Sequence, residues 1–293
     1  GSRLKASTAG LALWSSIMPT LEHQSSEPYP ADPQDRTSQT ESGSDQEAEE
    51  PPRADISACL PGFSYEDAFM CRERAFALHG QEQLRVLQRF MELDGTAGTV
   101  WPVTEVFMRE YQSLTDRALW NASGKSVLEL GSGTGVLAMF LAAHHATGVV
   151  ATDVGDGLDL LRTNFMLREN VAALGESHDV LHSAQLRWDE QAVEDLAMIR
   201  DICFTARLEL DTLVVFDALY NQDALEPLSE VIKKVCIHFE TLRSLLVGYQ
   251  DRQPEVEARG LQMLQESFAG ISELRVRRLF DIAPVHAVIL EKI

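Results

Sequence analysis

The chain has 293 residues and a formal charge of −20, and residues 1 to 55, with four Lys/Arg against ten Asp/Glu, leave −14 for the remainder. Phosphate binding is driven by clustered Lys and Arg, so an acid balance in both parts argues against a nucleic-acid or anionic-membrane partner. It suits a protein partner with a basic or lysine-bearing surface, and no apolar run approaches the length of a membrane span.

Residues 22 to 55 are rich in Glu, Ser, Pro, Gln and Asp and nearly lack large apolar side chains. Such a stretch cannot bury enough apolar surface to offset its ordering entropy, so residues 1–60 are expected to be a disordered acidic tail. Arg3, Lys5 and the apolar run Leu11 to Trp14 leave organelle targeting open beside an expected location in the cytoplasm or nucleus. The cysteines, Cys59, Cys71, Cys203 and Cys236, form no C-x-x-C pair and no metal-ligand spacing with the histidines. They read as free thiols of a reducing compartment, and no metal site is expected. Residues 61–293 are expected to form one domain, a helical part over 61–125 followed by a core over 126–293.

Within the first part, Gln83 to Leu93 places Leu84, Leu87, Phe90 and Met91 on one face and predicts an amphipathic helix. A Gly-rich turn over residues 94–98 precedes Thr99-Val-Trp101, and Pro102 suits the first turn of the next helix, whose apolar side carries Val103, Val106, Phe107 and Tyr111. From Ser126 the pattern alternates. Strands are predicted at Ser126 to Leu130, Gly148 to Asp153, Val180 to Arg187, Thr212 to Leu219, Ser244 to Tyr249, Arg275 to Phe280 and Ala287 to Leu290. Helices are predicted at Val136 to Ala143, Leu158 to Asn170, Leu225 to Phe239 and Glu255 to Ala269. Repeated βα units imply an α/β fold: a Rossmann-like, seven-stranded, mostly parallel sheet with helices on both faces. Its ligand site lies where the strand order reverses, at the carboxyl ends of the strands.

The first core strand ends in Glu129-Leu-Gly131-Ser132-Gly133-Thr-Gly135. Alternate glycines let the backbone turn tightly and approach a ligand, with a helix amino end following. The dinucleotide fingerprint needs a glycine at 136, where Val136 stands, so a nicotinamide or flavin enzyme fits poorly. An acidic residue two positions before the first glycine is instead the pattern associated with S-adenosylmethionine. Asp153, ending the second strand, is placed to accept two hydrogen bonds from a ribose diol. Trp188 and Asp189, after the third, offer an aromatic face and a polar edge to adenine, though a half-buried structural Trp fits as well. Asp217, near the end of the fourth, either points into the cleft or caps the helix that begins near Asn221.

Those residues, together with Gly98-Thr-Val-Trp101-Pro102, Arg187-Trp188, Phe216-Asp217-Ala-Leu-Tyr220-Asn221 and Leu245-Leu-Val-Gly-Tyr249-Gln-Asp-Arg252, resemble methyltransferase family 16. This is the group of seven-strand, S-adenosylmethionine-dependent protein-lysine methyltransferases. The resemblance runs from about residue 80 to the end. It implies that Trp101, Glu129, Gly131, Ser132, Gly133, Gly135, Asp153, Trp188 and Asp217 line the cofactor pocket, with S-adenosylhomocysteine as product. It also implies that Asp217 and Tyr220 form the D-x-x-Y motif beside the methyl group, in an enzyme acting on lysine as a monomer. Methylation of a protein histidine or a small-molecule amine, or a binding-only member without turnover, remain the alternatives. The chain departs from the family at Leu186-Arg187-Trp188-Asp189, where Leu-Asp-Trp-Gly is usual, and in the long segment that follows.

Overall fold

The computed structural model describes residues 60, 64–78, 82–90, 92–93, 96–270 and 272–293. The expected tail over residues 1–60 therefore lies, but for Leu60, outside the described residues.

Helix α1 (Tyr65–Met70) leads into an antiparallel hairpin of β1 (Glu73–Ala77) and β2 (Gln83–Leu87). The expected amphipathic helix over Gln83 to Leu93 is thus corrected to a strand. Leu84 and Val86 are fully buried while Arg85 and Leu87 are only half-buried, and that alternation is the period of a strand, not of a helix. The apolar spacing of Leu84, Leu87 and Phe90 imitated a helix face, and the expected helical part at 61–125 contains this hairpin.

Helix α2 (Pro102–Asp116) begins with Pro102 in its first turn and buries Val103, Val106, Phe107 and Tyr111 as the periodicity predicts. Then come β3 (Ser126–Leu130), α3 (Val136–Ala143), β4 (Gly148–Asp153), α4 (Gly155–Phe165), α5 (Arg168–Leu174), β5 (Leu181–Gln185) and α6 (Ala192–Ala206). The chain continues through β6 (Thr212–Phe216), α7 (Gln222–His238), β7 (Ser244–Gln250), α8 (Pro254–Ala269), β8 (Leu274–Ile282) and β9 (Val285–Lys292). The strands form one seven-stranded sheet in the order β5-β4-β3-β6-β7-β9-β8. Neighbours from β5 to β7 are parallel, and β9 joins antiparallel to β7 and β8. This is the Rossmann-like α/β architecture, with the reversal of strand order between β3 and β6.

The central strands are buried on both faces. Val127 packs into the core with α2, α3 and α4, while Leu128 and Leu130 pack into the core with α6, α7 and α8. Continuous Val and Leu runs serve this burial, as expected of parallel strands covered by helices on each side.

The predicted helix over Leu158 to Asn170 is two helices, α4 and α5, and the break has a physical cause. In a continuous helix the Asn164 carbonyl would accept from the amide four residues on. Here it accepts from Asn170 Nδ2 at 2.7 Å. The two asparagine side chains, both fully buried, turn to the open edge of β2. Asn164 Oδ1 accepts from Leu87 N at 2.8 Å, and its Nδ2 donates to the Leu87 carbonyl at 3.1 Å and to the Thr134 carbonyl at 2.9 Å. Asn170 pairs with both backbone groups of Arg85, each at 2.7 Å. The amides stand in for a third strand, satisfying an edge that would otherwise be buried without partners, and Asn164 ties that edge to the glycine loop through Thr134.

Replacing Asn164 by Ala strands these backbone groups away from water, at about 1–3 kcal/mol for each unsatisfied group. A melting temperature lowered by at least about 6 °C is expected, given three stranded groups and about 2–4 °C per kcal/mol in a domain of this size. A fall of under about 2 °C in a thermal melt would contradict the role assigned to Asn164.

Candidate active site at the strand reversal

Strands β3, β4 and β6 deliver a carboxyl group apiece to the same rim of the sheet. Glu129 is the penultimate residue of β3 and is 3% exposed, with Oε2 buried and without a hydrogen-bond partner. Burial pushes its pKa up to about 8, moderated by the Ser132 hydroxyl and reinforced by the charge of Asp153. Glu129 is therefore largely protonated at neutral pH. Burial also raises Asp153, opposed by the amides that bind it: Oδ2 accepts from Gly133 N at 2.7 Å and Oδ1 from Val154 N at 2.8 Å.

The loop between β3 and α3 is left-handed at Gly131, Gly133 and Gly135. Ser132 anchors it to β4, its amide donating to the Thr152 carbonyl at 2.8 Å and its hydroxyl accepting from Thr152 N at 3.1 Å. Gly131 faces the Trp188 ring, which lies 3.4 Å from where a Cβ would stand. At Gly133 the same position is 3.1 Å from the Ala97 carbonyl oxygen. Gly135 is needed for packing, since a Cβ there would meet Phe165 at 2.8 Å. So Gly131 and Gly133 present backbone to the rim, and Gly135 seats α3 against α4.

The residues on either side of Trp188 are fixed by α6. Arg187, which departs from the family pattern, forms a two-pronged ion pair with Asp195 of α6, at 2.8 and 2.7 Å, and its amide donates to the same carboxylate. The Asp189 carboxylate accepts from Gln191 N at 2.7 Å ahead of α6, so it is engaged locally.

Asp217 follows β6 directly, with φ of 51°, a left-handed conformation that Asp tolerates better than most residues. Its two readings are now separable. The helix cap belongs to Asn221, whose Oδ1 accepts from Asp223 N at 3.0 Å. The Asp217 carboxylate instead accepts two bonds from Arg252, at 2.6 and 2.7 Å. The guanidinium lies over the rings of Trp101 and Tyr220, 5.2 and 5.6 Å from their centroids. Those two rings stack on each other at 6.5 Å with 24° between planes. Tyr220 Oη shares a 2.9 Å hydrogen bond with Thr96 Oγ1, and Trp101 Nε1 donates to the Thr96 carbonyl at 2.9 Å. Burial raises the Tyr220 phenol above its usual range, so it stays protonated at neutral pH. The strip from Thr96 to Trp101 thus bridges the glycine loop, through Ala97, and the D-x-x-Y segment, through Thr96. Arg252 carried a family-like sequence signal, but its part in the site became visible only in three dimensions.

A family model described as lysine methyltransferase, methyltransferase family 16, matches residues 79–267, well over half of the chain. The chain belongs to that family. It is an S-adenosylmethionine-dependent methyltransferase. Among solved structures it is similar to a SAM-dependent methyltransferase from Agrobacterium tumefaciens, at 13% identity and a TM-score of 0.44, covering 79% of this chain and 72% of that one. A Streptococcus mutans protein assigned as a SAM-dependent methyltransferase matches at 11% identity and a TM-score of 0.43, covering 75% of this chain and 56% of that one. This methyltransferase therefore spans a little over half the length of the Streptococcus mutans protein. The ribosomal protein L11 methylase of Lactobacillus delbrueckii subsp. bulgaricus matches at 16% identity and a TM-score of 0.38, over 64% of this chain and 79% of that one.

The site's donor set fits the cofactor. The unpartnered Oε2 of Glu129 and the carboxylate of Asp153 suit a ligand that brings both positive charge and hydroxyl groups, and Gly131 and Gly133 offer backbone at close range. Trp188 supplies an aromatic face beside them. When bound, the cofactor supplies a methyl group on a sulfonium as electrophile.

The raised pKa of Glu129 has a measurable consequence. Between an ordinary carboxyl value near 4.5 and about 8, the folded protein retains a proton that the unfolded chain has lost. Stability from this group is complete below the lower value and declines as pH rises through the upper one. Denaturation midpoints of the ligand-free protein should fall between pH 5 and 8, and Glu129→Gln should flatten that fall, making the variant the more stable at pH 8 by on the order of a few kcal/mol. Parallel pH curves for the two proteins would contradict a protonated Glu129.

Proposed function

We propose that this methyltransferase transfers the methyl group to a lysine side chain of a protein. The observation that carries the reading is the group formed by Asp217, Tyr220 and Trp101 at the strand reversal, next to the glycine loop. Two stacked aromatic faces beside a carboxylate suit an alkyl amine: the rings offer an apolar wall to its stem, and a carboxylate oxygen can accept from its N–H. Family membership supports the same reading.

The chemistry asks for an unprotonated nitrogen held in line with the methyl group. Removing the proton of an ordinary lysine at pH 7 costs about 4–5 kcal/mol. Tyr220, itself protonated and bonded to Thr96, is not the base, and its role is that of wall and orienting edge. The proton leaves to water before attack. Asp217 and Tyr220 remain the residues proposed to meet the target nitrogen, and Trp101, Glu129, Gly131, Ser132, Gly133, Asp153 and Trp188 those proposed to hold or surround the cofactor.

A partner with a basic surface is supported by the open groove beside Trp188, a cavity of about 790 Å³. Asp223, Glu226 and Glu230 of α7 line it together with Asp189 and Glu190, against Lys234 and Arg259. That charge balance steers cationic surfaces toward the rim.

Incubating the protein with isotopically labelled S-adenosylmethionine and a cell extract separates the readings. The label is expected on the side-chain nitrogen of lysine in a discrete protein, located by mass spectrometry of its peptides. Label on histidine, or only in a filterable small product, would replace the lysine assignment. A folded, cofactor-binding protein that labels nothing would point to a binding-only member.

A further inference from the structure

Arg252 is a half-buried cation inside a site read as receiving another cation. We infer that Arg252 determines the protonation state of the amine that the site accepts: by neutralising Asp217 it prevents the carboxylate from trapping the target as an ammonium ion. The inference rests on the proposed meeting of Asp217 and Tyr220 with the target nitrogen.

A carboxylate alone beside the nitrogen would stabilise the ammonium form and raise its pKa, opposing the deprotonation that methyl transfer requires. Asp217 is 8% exposed, and in such surroundings the attraction is weakly screened. Arg252 removes that conflict. Both carboxylate oxygens are taken by its guanidinium, at 2.6 and 2.7 Å, and the cation also covers the faces of Trp101 and Tyr220 that would otherwise attract an ammonium. The pair presents a surface of no net charge, with lone pairs still able to orient a neutral amine.

The surrounding charges do not undo this balance. Glu257 of α8 is nearly fully buried and turned to the backbone, accepting from Arg252 N at 3.2 Å and from Gln253 N at 2.9 Å. Asp251 faces His286 of β9, 2.8 Å away, and His286 also meets Asp281 of β8 at 2.6 Å. Gln250 of β7 accepts a longer bond from Arg252, at 3.3 Å, and Tyr220 is held protonated. Both oxygens of Asp217 are therefore matched by the Arg252 guanidinium. The two lie 35 residues apart in sequence and meet because β6 and β7 are adjacent and parallel.

The test compares the full chain with Arg252→Met, which keeps the stem and loses the charge. With S-adenosylhomocysteine present, n-butylammonium, a mimic of the lysine side chain, is titrated by calorimetry. The variant is expected to bind it at least 10-fold more tightly than the wild type. On a lysine peptide methylated by the wild type, the variant should show a lower KM, a kcat reduced about 10-fold at pH 7 and recovered at higher pH, and the acid limb of its kcat profile moved upward by about one unit. Arg252→Lys, which keeps the charge, should stay close to the wild-type profile. If Arg252→Met fails to fold, Arg252→Gln serves in its place, with the same signs and smaller sizes. Unchanged n-butylammonium affinity and an unmoved pH profile, with kcat and melting temperature falling together, would overturn the inference and leave Arg252 a structural residue. Tightened n-butylammonium binding without lysine methylation by the wild type would support the inference and count against the proposed function.

Discussion

Three carboxyl groups stand at the ends of adjacent strands, Glu129 and Asp217 buried and Asp153 half-buried, and they cannot all be ionised and unpaired there. Burial of charge at this point is the constraint around which the site is built. The structure meets it three ways. Glu129 keeps its proton, Asp153 is held by the amides of Gly133 and Val154, and Asp217 is matched by Arg252. The first two arrangements leave capacity toward a ligand with positive charge and hydroxyl groups, and the third leaves an oriented, charge-balanced wall. Their separation across the reversal between β3 and β6 underlies the proposed division of cofactor holding from target orientation.

The scaffold preserves this division by spending polar groups away from the rim. Asn164 and Asn170 close the open edge of the hairpin and fix the glycine loop through Thr134. Arg187 and Asp195 fix the approach of Trp188 to Gly131. Thr96, bonded to both Trp101 and Tyr220, joins the strip over the glycine loop to the D-x-x-Y segment. Each contact is short and involves groups at least partly removed from water, where polar interactions contribute more to a single arrangement than at the open surface.

Much of this was legible in the chain because the signals were local. Strands β3 and β4 and helix α3 occur at the predicted boundaries, since an uninterrupted apolar run followed by alternate glycines has few other solutions in an α/β domain. The hairpin was misread because Leu84, Leu87 and Phe90 fall at helical spacing, while the burial that decides the matter alternates through Leu84 and Val86. The division of α4 from α5 carries no Gly or Pro: it follows from asparagine side chains that turn to a strand about eighty residues earlier in the chain. Arg252 shows the same limit in the site itself. Its position was part of a recognisable segment, but its partner Asp217 is brought to it by the pairing of β6 with β7, and no spacing rule within either segment reveals that pairing.

In the proposed function the β3–β4 rim holds the cofactor while the β6 segment meets the target. Calorimetric titration of S-adenosylhomocysteine into folded Asp153→Ala protein tests it most directly. The predicted result is a loss of affinity of about 100-fold or more, as for a half-buried carboxylate whose polar partners would be left unmatched, at about 3 kcal/mol. An affinity equal to that of the wild type would contradict it.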